Sequence, residues 1–357
     1  MRIVYDNIIF GTQKSGGGIS VVWGELLKRA LKDPRLDLSF VEFDPNSNPV
    51  RATLSIPEEK RRTVPACLRK AFKYLPVRAA GREPFLFHSS FFRTCLNPHA
   101  INVTTVHDFT NELFQTGSGA RKERGIKDRG IRHSDFIICI SENTKRDFFR
   151  FYPDFPAERV RVVFNGVSEA FRPLSDVQGL PFEKGSYLLF VGARGGYKHF
   201  DILPEALRRS GLNLVFTGAP LSPGEKAALA GLEARCHHAG WVSDEALNRL
   251  YNGALALVYP SAYEGFGLPV VEAQKAGCPV IACNASSIPE VIGPTPLLMD
   301  ESTPGALLDK LDLLKEEAVR AAVIRDGLEN ARRFSWDRMY KGILEVYKQA
   351  LICGKRR

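Results

Sequence analysis

The 357-residue chain is long enough for about two domains of ordinary size. Its 44% hydrophobic and 25% charged residues are globular values that exclude a disordered or fibrous chain, and no apolar run reaches the ~18 to 20 residues of a membrane-spanning helix. The net charge of +9 is uneven, because residues 1–170 hold 27 Lys and Arg against 19 Asp and Glu while the remainder holds 22 against 21.

The first residues, MRIVYDNIIF, enter a strand pattern without the apolar core of a signal peptide, so a cytoplasmic protein is expected. Strand-like runs then alternate with helical stretches to the end of the chain. In the first half they fall at 2–5, 39–43, 85–88, 102–106, 136–140 and 160–164. In the second half they fall at 187–191, 213–217, 235–239, 254–259, 279–283 and 296–299, with helical patterns such as 19–31 and 200–209 between strands. This is an α/β pattern, a doubly wound parallel sheet seen twice. The linker is expected at 166–185, rich in Pro, Gly and Ser, giving domains at 1–170 and 171–335 and a C-terminal helix within 336–357. That helix carries a stripe of Trp336, Met339, Tyr340, Ile343, Leu344 and Tyr347. Seven cysteines lie scattered without a C-x-x-C pair or nearby His, so reduced, mostly buried thiols and no structural metal are expected.

Residues 60–82, KRRTVPACLRKAFKYLPVRAAGR, hold eight Lys or Arg and no acid, with Phe72, Tyr74, Leu75 and Val77 interleaved. Two readings stand side by side. One is a solvated, mobile basic loop; the other is an interfacial segment on anionic lipid, each basic residue contributing ~1 kcal/mol. Nucleic acid is not expected, since no RNA- or DNA-binding motif accompanies the charge.

Candidate site residues gather at predicted strand ends. Gly16, Gly17 and Gly18 precede a helix, but Val21 at the third fingerprint position breaks G-x-G-x-x-G and excludes a dinucleotide motif. His107 and Asp108 end INVTTVHD at a carboxyl edge, where a hydrogen-bonded turn residue and a helix cap are the plain alternatives. Ser141 reads as an N-cap and Asn165-Gly166 as a turn. Arg194 and Lys198 follow the strand in YLLFVGARGGYKHF, and Thr217-Gly218 and Trp241-Val242 follow two others; Trp241 equally suits a core position. Ser287 and Glu290 fit a capping box.

The most specific stretch is YPSAYEGFGLPVVEAQKAG, 259–277, in which Glu264 and Glu272 have seven residues between them. Pro269 reads as the first helical residue and Gly277 as the stop, placing Glu272 in the first helical turn. Backbone N–H groups at Phe266, Gly267 and Leu268 would face an anionic or hydroxyl-rich ligand, and the two carboxylates could each grip sugar hydroxyls. The bland alternative is a loop charge and a dipole-complementing Glu.

This double-glutamate motif resembles the signature of the retaining GT-B glycosyltransferases of family 4, glycosyl transferases group 1, of the bacterial surface-polysaccharide type. The resemblance implies two Rossmann-like domains facing a cleft, the first binding the acceptor and the second the nucleotide-sugar donor, with the last helix crossing back to the first domain. It implies contact of Glu264 with the transferred sugar and of Glu272 with the ribose. Gly17 and Gly18 would lie near the donor phosphate and acceptor, and His107 beside the transferred sugar. Lys198 matches a phosphate-clamping lysine. Arg194 would be its partner, although Ala193 sits where the commonest family pattern has the arginine. Thr217, Gly218, Trp241 and Val242 would cradle base and ribose. No Asp-x-Asp motif is present, so no metal or other cofactor is expected. The expectation is a retaining hexosyltransferase using GDP-mannose or a UDP-sugar on a saccharide acceptor, lipid-linked, in polysaccharide or O-antigen type biosynthesis, cytoplasmic and peripheral at the inner face of the plasma membrane. A nucleotide-sugar epimerase of the same fold, or a non-catalytic membrane- or nucleic-acid-docking protein, are the alternatives.

Overall fold

The computed structural model describes residues 1–13, 16–68 and 72–355; Arg69, Lys70 and Ala71 of the basic stretch therefore lie outside the described residues. The chain divides into two compact units, Met1–Gly166 with Trp336–Arg357, and Val167–Ser335.

The first unit is built on a parallel sheet of β1 (Arg2–Asp6), β2 (Asp37–Asp44), β3 (Arg61–Pro65), β4 (Phe85–Ser89), β5 (Ala100–Val106), β6 (Phe136–Cys139) and β7 (Val160–Val162), in the order β3-β2-β1-β4-β5-β6-β7. Central strands such as FLFHS and FIIC are buried along their whole length, as strands covered by helices on both faces must be. The second unit repeats the scheme with β8 (Tyr187–Phe190), β9 (Asn213–Thr217), β10 (Cys236–Gly240), β11 (Ala256–Tyr259), β12 (Val280–Cys283) and β13 (Leu298–Met299), ordered β10-β9-β8-β11-β12-β13. Each unit is thus a Rossmann-like doubly wound sheet, the pair of which composes the GT-B class.

Each sheet reverses its winding once, between β1 and β4 in the first and between β8 and β11 in the second. The loops leaving those strands diverge at the reversal and open a crevice beyond the carboxyl ends, which is where such sheets bind ligands.

Every predicted strand has a counterpart, and β3 is an addition inside the stretch read as a basic loop or interfacial segment. It pairs with β2 from Phe40↔Arg61 to Asp44↔Pro65 at the sheet margin, where charged side chains and a terminal proline are tolerated. Glu42 neutralises Arg61 at 3.3 Å and Glu58 does so at 2.9 Å.

The helix Trp336–Cys353 belongs to the first unit. Tyr347 brings its hydroxyl within 2.5 Å of His88 Nδ1 and 3.3 Å of the Tyr5 hydroxyl oxygen. Tyr340 donates to Asp33 at 2.9 Å, and Arg29 pairs with Asp337 at 2.6 Å. Burial pushes His88 down to about 3, so its imidazole is neutral, with Thr105 Oγ1 2.9 Å from Nε2.

The segment predicted as a linker is strapped to the second unit. Asn248 and Asn252, one turn apart on the helix Asp244–Gly253, accept from the Arg172 and Leu174 N–H groups at 3.0 and 2.8 Å. Phe171 is buried edge-on against Tyr251, and Gly185 N–H donates to the Gly253 carbonyl at 2.8 Å. Two side-chain amides thus satisfy backbone donors that a loose linker would leave to water.

The helix Ser118–Arg132 contains a matched pair of glycines. A Cβ on Gly130 would meet the Phe92 carbonyl oxygen at 2.3 Å, whereas one on Gly125 meets nothing within 4 Å. In denaturant unfolding, Gly125→Ala is expected to stabilise the protein by ~0.5–1 kcal/mol and Gly130→Ala to destabilise it by ~1–3 kcal/mol. Equal effects of the two substitutions would mean that Phe92 does not pack against this helix.

Candidate active site

In the second unit the loops after β8 and β11 meet at the reversal point. Ala262 N–H donates to the Tyr197 carbonyl at 2.8 Å, and Lys198 Nζ forms an ion pair with Glu264 Oε1. Both side chains are mostly enclosed, 16% and 12% exposed, and the ammonium lies 5.2 Å from the Tyr197 ring centroid and 5.7 Å from that of Tyr259. Aromatic faces and one carboxylate thus hold a cation that the crevice would otherwise leave poorly solvated. Burial first, then the carboxylates of Glu264 and Glu272, push the Tyr259 phenol far above its ordinary range and keep it a neutral donor.

The turn Glu264–Gly267 is seated by hydroxyls from the loop after β12. Ser286 Oγ accepts from Glu264 N–H at 2.8 Å; Ser287 Oγ donates to the carbonyls of Glu264 at 2.8 Å and Phe266 at 3.2 Å. The predicted capping box is therefore corrected. Ser287 stands at the N-cap of the helix Ile288–Ile292 but makes no capping bond, because two loop carbonyls engage its hydroxyl instead. Phe266 turns its ring inward against Phe334, at 5.5 Å and 84°, so only its backbone faces the site.

Gly267 adopts a left-handed conformation, φ 93°, as N-cap of the helix Leu268–Lys275. A side chain there would be strained. Because Gly267 takes the cap, Pro269 is the second helical residue rather than the first, and Glu272 sits in the second turn rather than the first. Pro269 has no N–H, so Leu268 supplies the leading backbone donor of this helix. Glu272 is partly buried and accepts from the Tyr251 hydroxyl at 3.0 Å. Burial pushes its carboxyl up to about 7, with the Tyr251 bond opposing and Asp244 reinforcing the shift.

Arg194 has a different task from the predicted phosphate clamp. It is 8% exposed, its Nε bonds Glu225 at 3.0 Å, and its two Nη groups donate to the carbonyls of Thr217 at 3.1 Å, Pro220 at 3.0 Å and Ala219. The guanidinium also stacks over Phe200 and Phe216. Four of its five N–H donors thus engage Glu225 and the loop after β9. The one-residue displacement by Ala193 accompanies this inward course.

Thr217 Oγ1 accepts from Gly192 N–H at 3.2 Å, and Gly218, φ 94°, donates to the Gly240 carbonyl at 2.8 Å. A Cβ on Gly218 would come within 3.0 Å of the Gly192 carbonyl oxygen, so only glycine lets these loops approach. Trp241 is 76% exposed, which removes the core alternative, and Val242 is half-buried; both follow β10, two strands or ~10 Å from β8 along the same edge.

Gly17, Gly18 and His107 lie at the carboxyl edge of the first unit's sheet. Gly17 caps the helix Gly18–Ala30, and a Cβ on it would stand 3.0 Å from Gln13 Oε1. His107 follows β5. Burial pushes it down to about 4 against the pull of Asp108, with Lys127 reinforcing the drop, so it is neutral at pH 7. Ser141 does cap its helix, accepting from Thr144 N–H at 2.9 Å. Tyr251, Tyr259 and Ser286 are site residues that sequence reasoning missed; the Ser286-Ser287 pair just past a predicted strand was the available signal.

Residues 172–334 match the family Glycosyl transferases group 1, and residues 17–171 match Glycosyltransferase Family 4. O-antigen chain mannosyltransferase B of Escherichia coli is 28% identical over 291 residues, covering 74% of each chain. Among solved structures, sucrose-phosphate synthase from Thermosynechococcus elongatus superposes with a TM-score of 0.75 at 19% identity, covering 99% of this chain and 100% of that one. Anabaena HepE in complex with UDP and glucose superposes with a TM-score of 0.72 at 16% identity, covering 98% and 99%.

The raised Glu272 carboxyl has a consequence for stability. The folded chain holds this proton up to about pH 7, the unfolded chain only to 4.5. Its contribution is therefore complete below pH 4.5 and lost as pH rises through 7. Glu272→Gln keeps the shape and an acceptor for Tyr251 without the charge. Relative to wild type it is expected to be ~1–3 kcal/mol more stable at pH 8 and about equal at pH 4.5, by denaturant unfolding. The same difference at both pH values would contradict the assignment.

Proposed function

This chain belongs to the glycosyl transferases group 1 family, and on that premise we propose that it transfers a hexose from a nucleoside diphosphate sugar to a saccharide acceptor, with retention at the anomeric carbon and without a metal. The observation that carries this reading is the convergence of Glu264, Glu272 and Lys198 around the turn at the β8/β11 reversal point. In the proposed reaction Glu264 grips hydroxyls of the transferred sugar and Glu272 those of the ribose. The bond from the anomeric carbon to the phosphate oxygen breaks, and the acceptor oxygen bonds to that carbon on the same face. The acceptor proton passes to the departing phosphate oxygen. Lys198, exchanging Glu264 for phosphate, and the N–H of Leu268 take up the negative charge that develops there.

Thr217, Gly218, Trp241 and Val242 receive the base and ribose in this reading, with the exposed Trp241 offering a stacking face. Within the first unit, Gly17, Gly18 and the neutral His107 are the proposed ligand contacts. Arg194 acts in this reading by holding the loop after β9, with four of its N–H donors engaged there and on Glu225. GDP-mannose or a UDP-hexose is the proposed donor; the mannosyltransferase relative supports the first and the UDP-bound fold neighbour the second. The acceptor is a lipid-linked saccharide of polysaccharide or O-antigen type. Among the described residues no helix is long and apolar enough to cross a membrane. The proposal brings the chain to the inner face of the plasma membrane through exposed basic residues such as Arg62 and Arg78.

Isothermal titration with GDP-mannose and UDP-glucose in the presence of EDTA tests the donor site. Wild type is expected to bind one of them, and Glu272→Ala to lose ~1.5–3 kcal/mol, roughly ten- to hundredfold in affinity. Unchanged affinity in the variant would remove Glu272 from the site.

A further inference from the structure

The first unit holds a cavity of about 340 Å³ beside β2 and β3, lined in part by Phe72 and by residues 75–78. Its volume falls within the ~300–1,000 Å³ of small-molecule sites. Three arginines line it, Arg62, Arg78 and Arg93, and no acidic residue is among its lining. Phe72, Leu75 and Leu96 supply apolar wall, and the last two are 50% and 56% exposed at its rim.

Arg93 is 6% exposed, stands 3.5 Å from Asp6 Oδ1, and has a buried Nε without an acceptor among the described residues. A buried guanidinium with an unmet N–H is costly unless a ligand supplies the acceptor. Arg62 donates to the carbonyl of Arg78, and neither has an acidic partner among the described residues. Three cations set against the single carboxylate of Asp6 leave two charges to meet, which calls for an anion of more than one charge, and guanidinium forks match phosphate oxygens. The adjoining apolar wall calls for a hydrocarbon chain on that anion.

We propose that this cavity binds the phosphate-ester end of an amphiphilic acceptor, its phosphate against Arg62, Arg78 and Arg93 and its chain along Phe72, Leu75 and Leu96. This deepens the glycosyl-transfer reading and rests on it, by naming the chemistry that anchors the acceptor in the first unit. The site adds binding to the basic surface of β3, which by itself would select only charge.

The test is titration of the full chain with octyl phosphate below its micellar concentration, against octyl glucoside, octanoate and inorganic phosphate. Octyl phosphate is expected to bind at least about tenfold more tightly than each of the other three. The double variant Arg62→Gln, Arg78→Gln, which alters exposed side chains, is expected to weaken it about tenfold or more while leaving nucleotide-sugar affinity unchanged. Leu75→Ser with Leu96→Ser should weaken octyl phosphate and leave inorganic phosphate as it was. Equal binding of octyl glucoside or inorganic phosphate, or an unaffected arginine double variant, would overturn the assignment. A wild-type chain that binds nucleotide sugar but no octyl phosphate overturns the cavity assignment alone. One that binds octyl phosphate but no nucleotide sugar overturns the transfer reading and keeps the cavity as a phosphate-ester site.

Discussion

The seating of one turn by two serine hydroxyls governs the geometry of the second unit's site. Ser287 Oγ bridges the carbonyls of Glu264 and Phe266, and Ser286 holds the Glu264 N–H from the other side. With the turn fixed, Gly267 enters its left-handed conformation and the helix Leu268–Lys275 starts in a set direction. That direction carries Glu272 to Tyr251, while the turn presents the Glu264 carboxylate to Lys198. Backbone polar groups in such a turn would be expensive if left unmet, so the two serines stabilise the loop and shape it together.

The charges of the site are held in reserve. Lys198 and Glu264 neutralise one another in a place where neither is well solvated, and each is what a nucleoside diphosphate sugar needs, a cation for phosphate and an acceptor for hydroxyls. In the proposed reaction, binding trades one ion pair for two sets of ligand contacts instead of burying fresh charge. Glu272 shows the opposite economy: its burial lowers stability at neutral pH, a cost consistent with a carboxylate kept for a ligand rather than for the fold. Arg194 completes the contrast. It stiffens the loop after β9 from within, so Lys198 is the cation that the crevice presents from the loop after β8.

Most of the architecture was legible because parallel strands buried on both faces write themselves as short apolar runs, and YLLF, NLVFT and ALVY each do so. Strand β3 was hidden because an edge strand can afford Arg61 and Arg62, whose charge masks the pairing signal. The glutamate pair was legible from its spacing around EGFGLP, yet the depth of Glu272 in the helix was misread by one residue, enough to move it past the first turn, since sequence cannot show that Gly267 rather than Leu268 takes the cap. Ser287 was assigned a local capping role because S-x-x-E is a local pattern, whereas its partners lie more than twenty residues away. The course of Arg194 depended likewise on distant carbonyls and on Glu225. The division after residue 166 fell within the expected linker, whose fastening to the second unit stayed hidden because it comes from Asn248 and Asn252, far along the chain.

The most direct measurement is a crystal structure of the protein with a bound nucleoside diphosphate sugar. The account predicts Lys198 Nζ detached from Glu264 and bonded to a phosphate oxygen, Glu264 on the sugar, and both ribose hydroxyls within hydrogen-bond reach of Glu272. A nucleotide bound elsewhere, or one bound there with the Lys198–Glu264 pair still closed and the ribose away from Glu272, would contradict it.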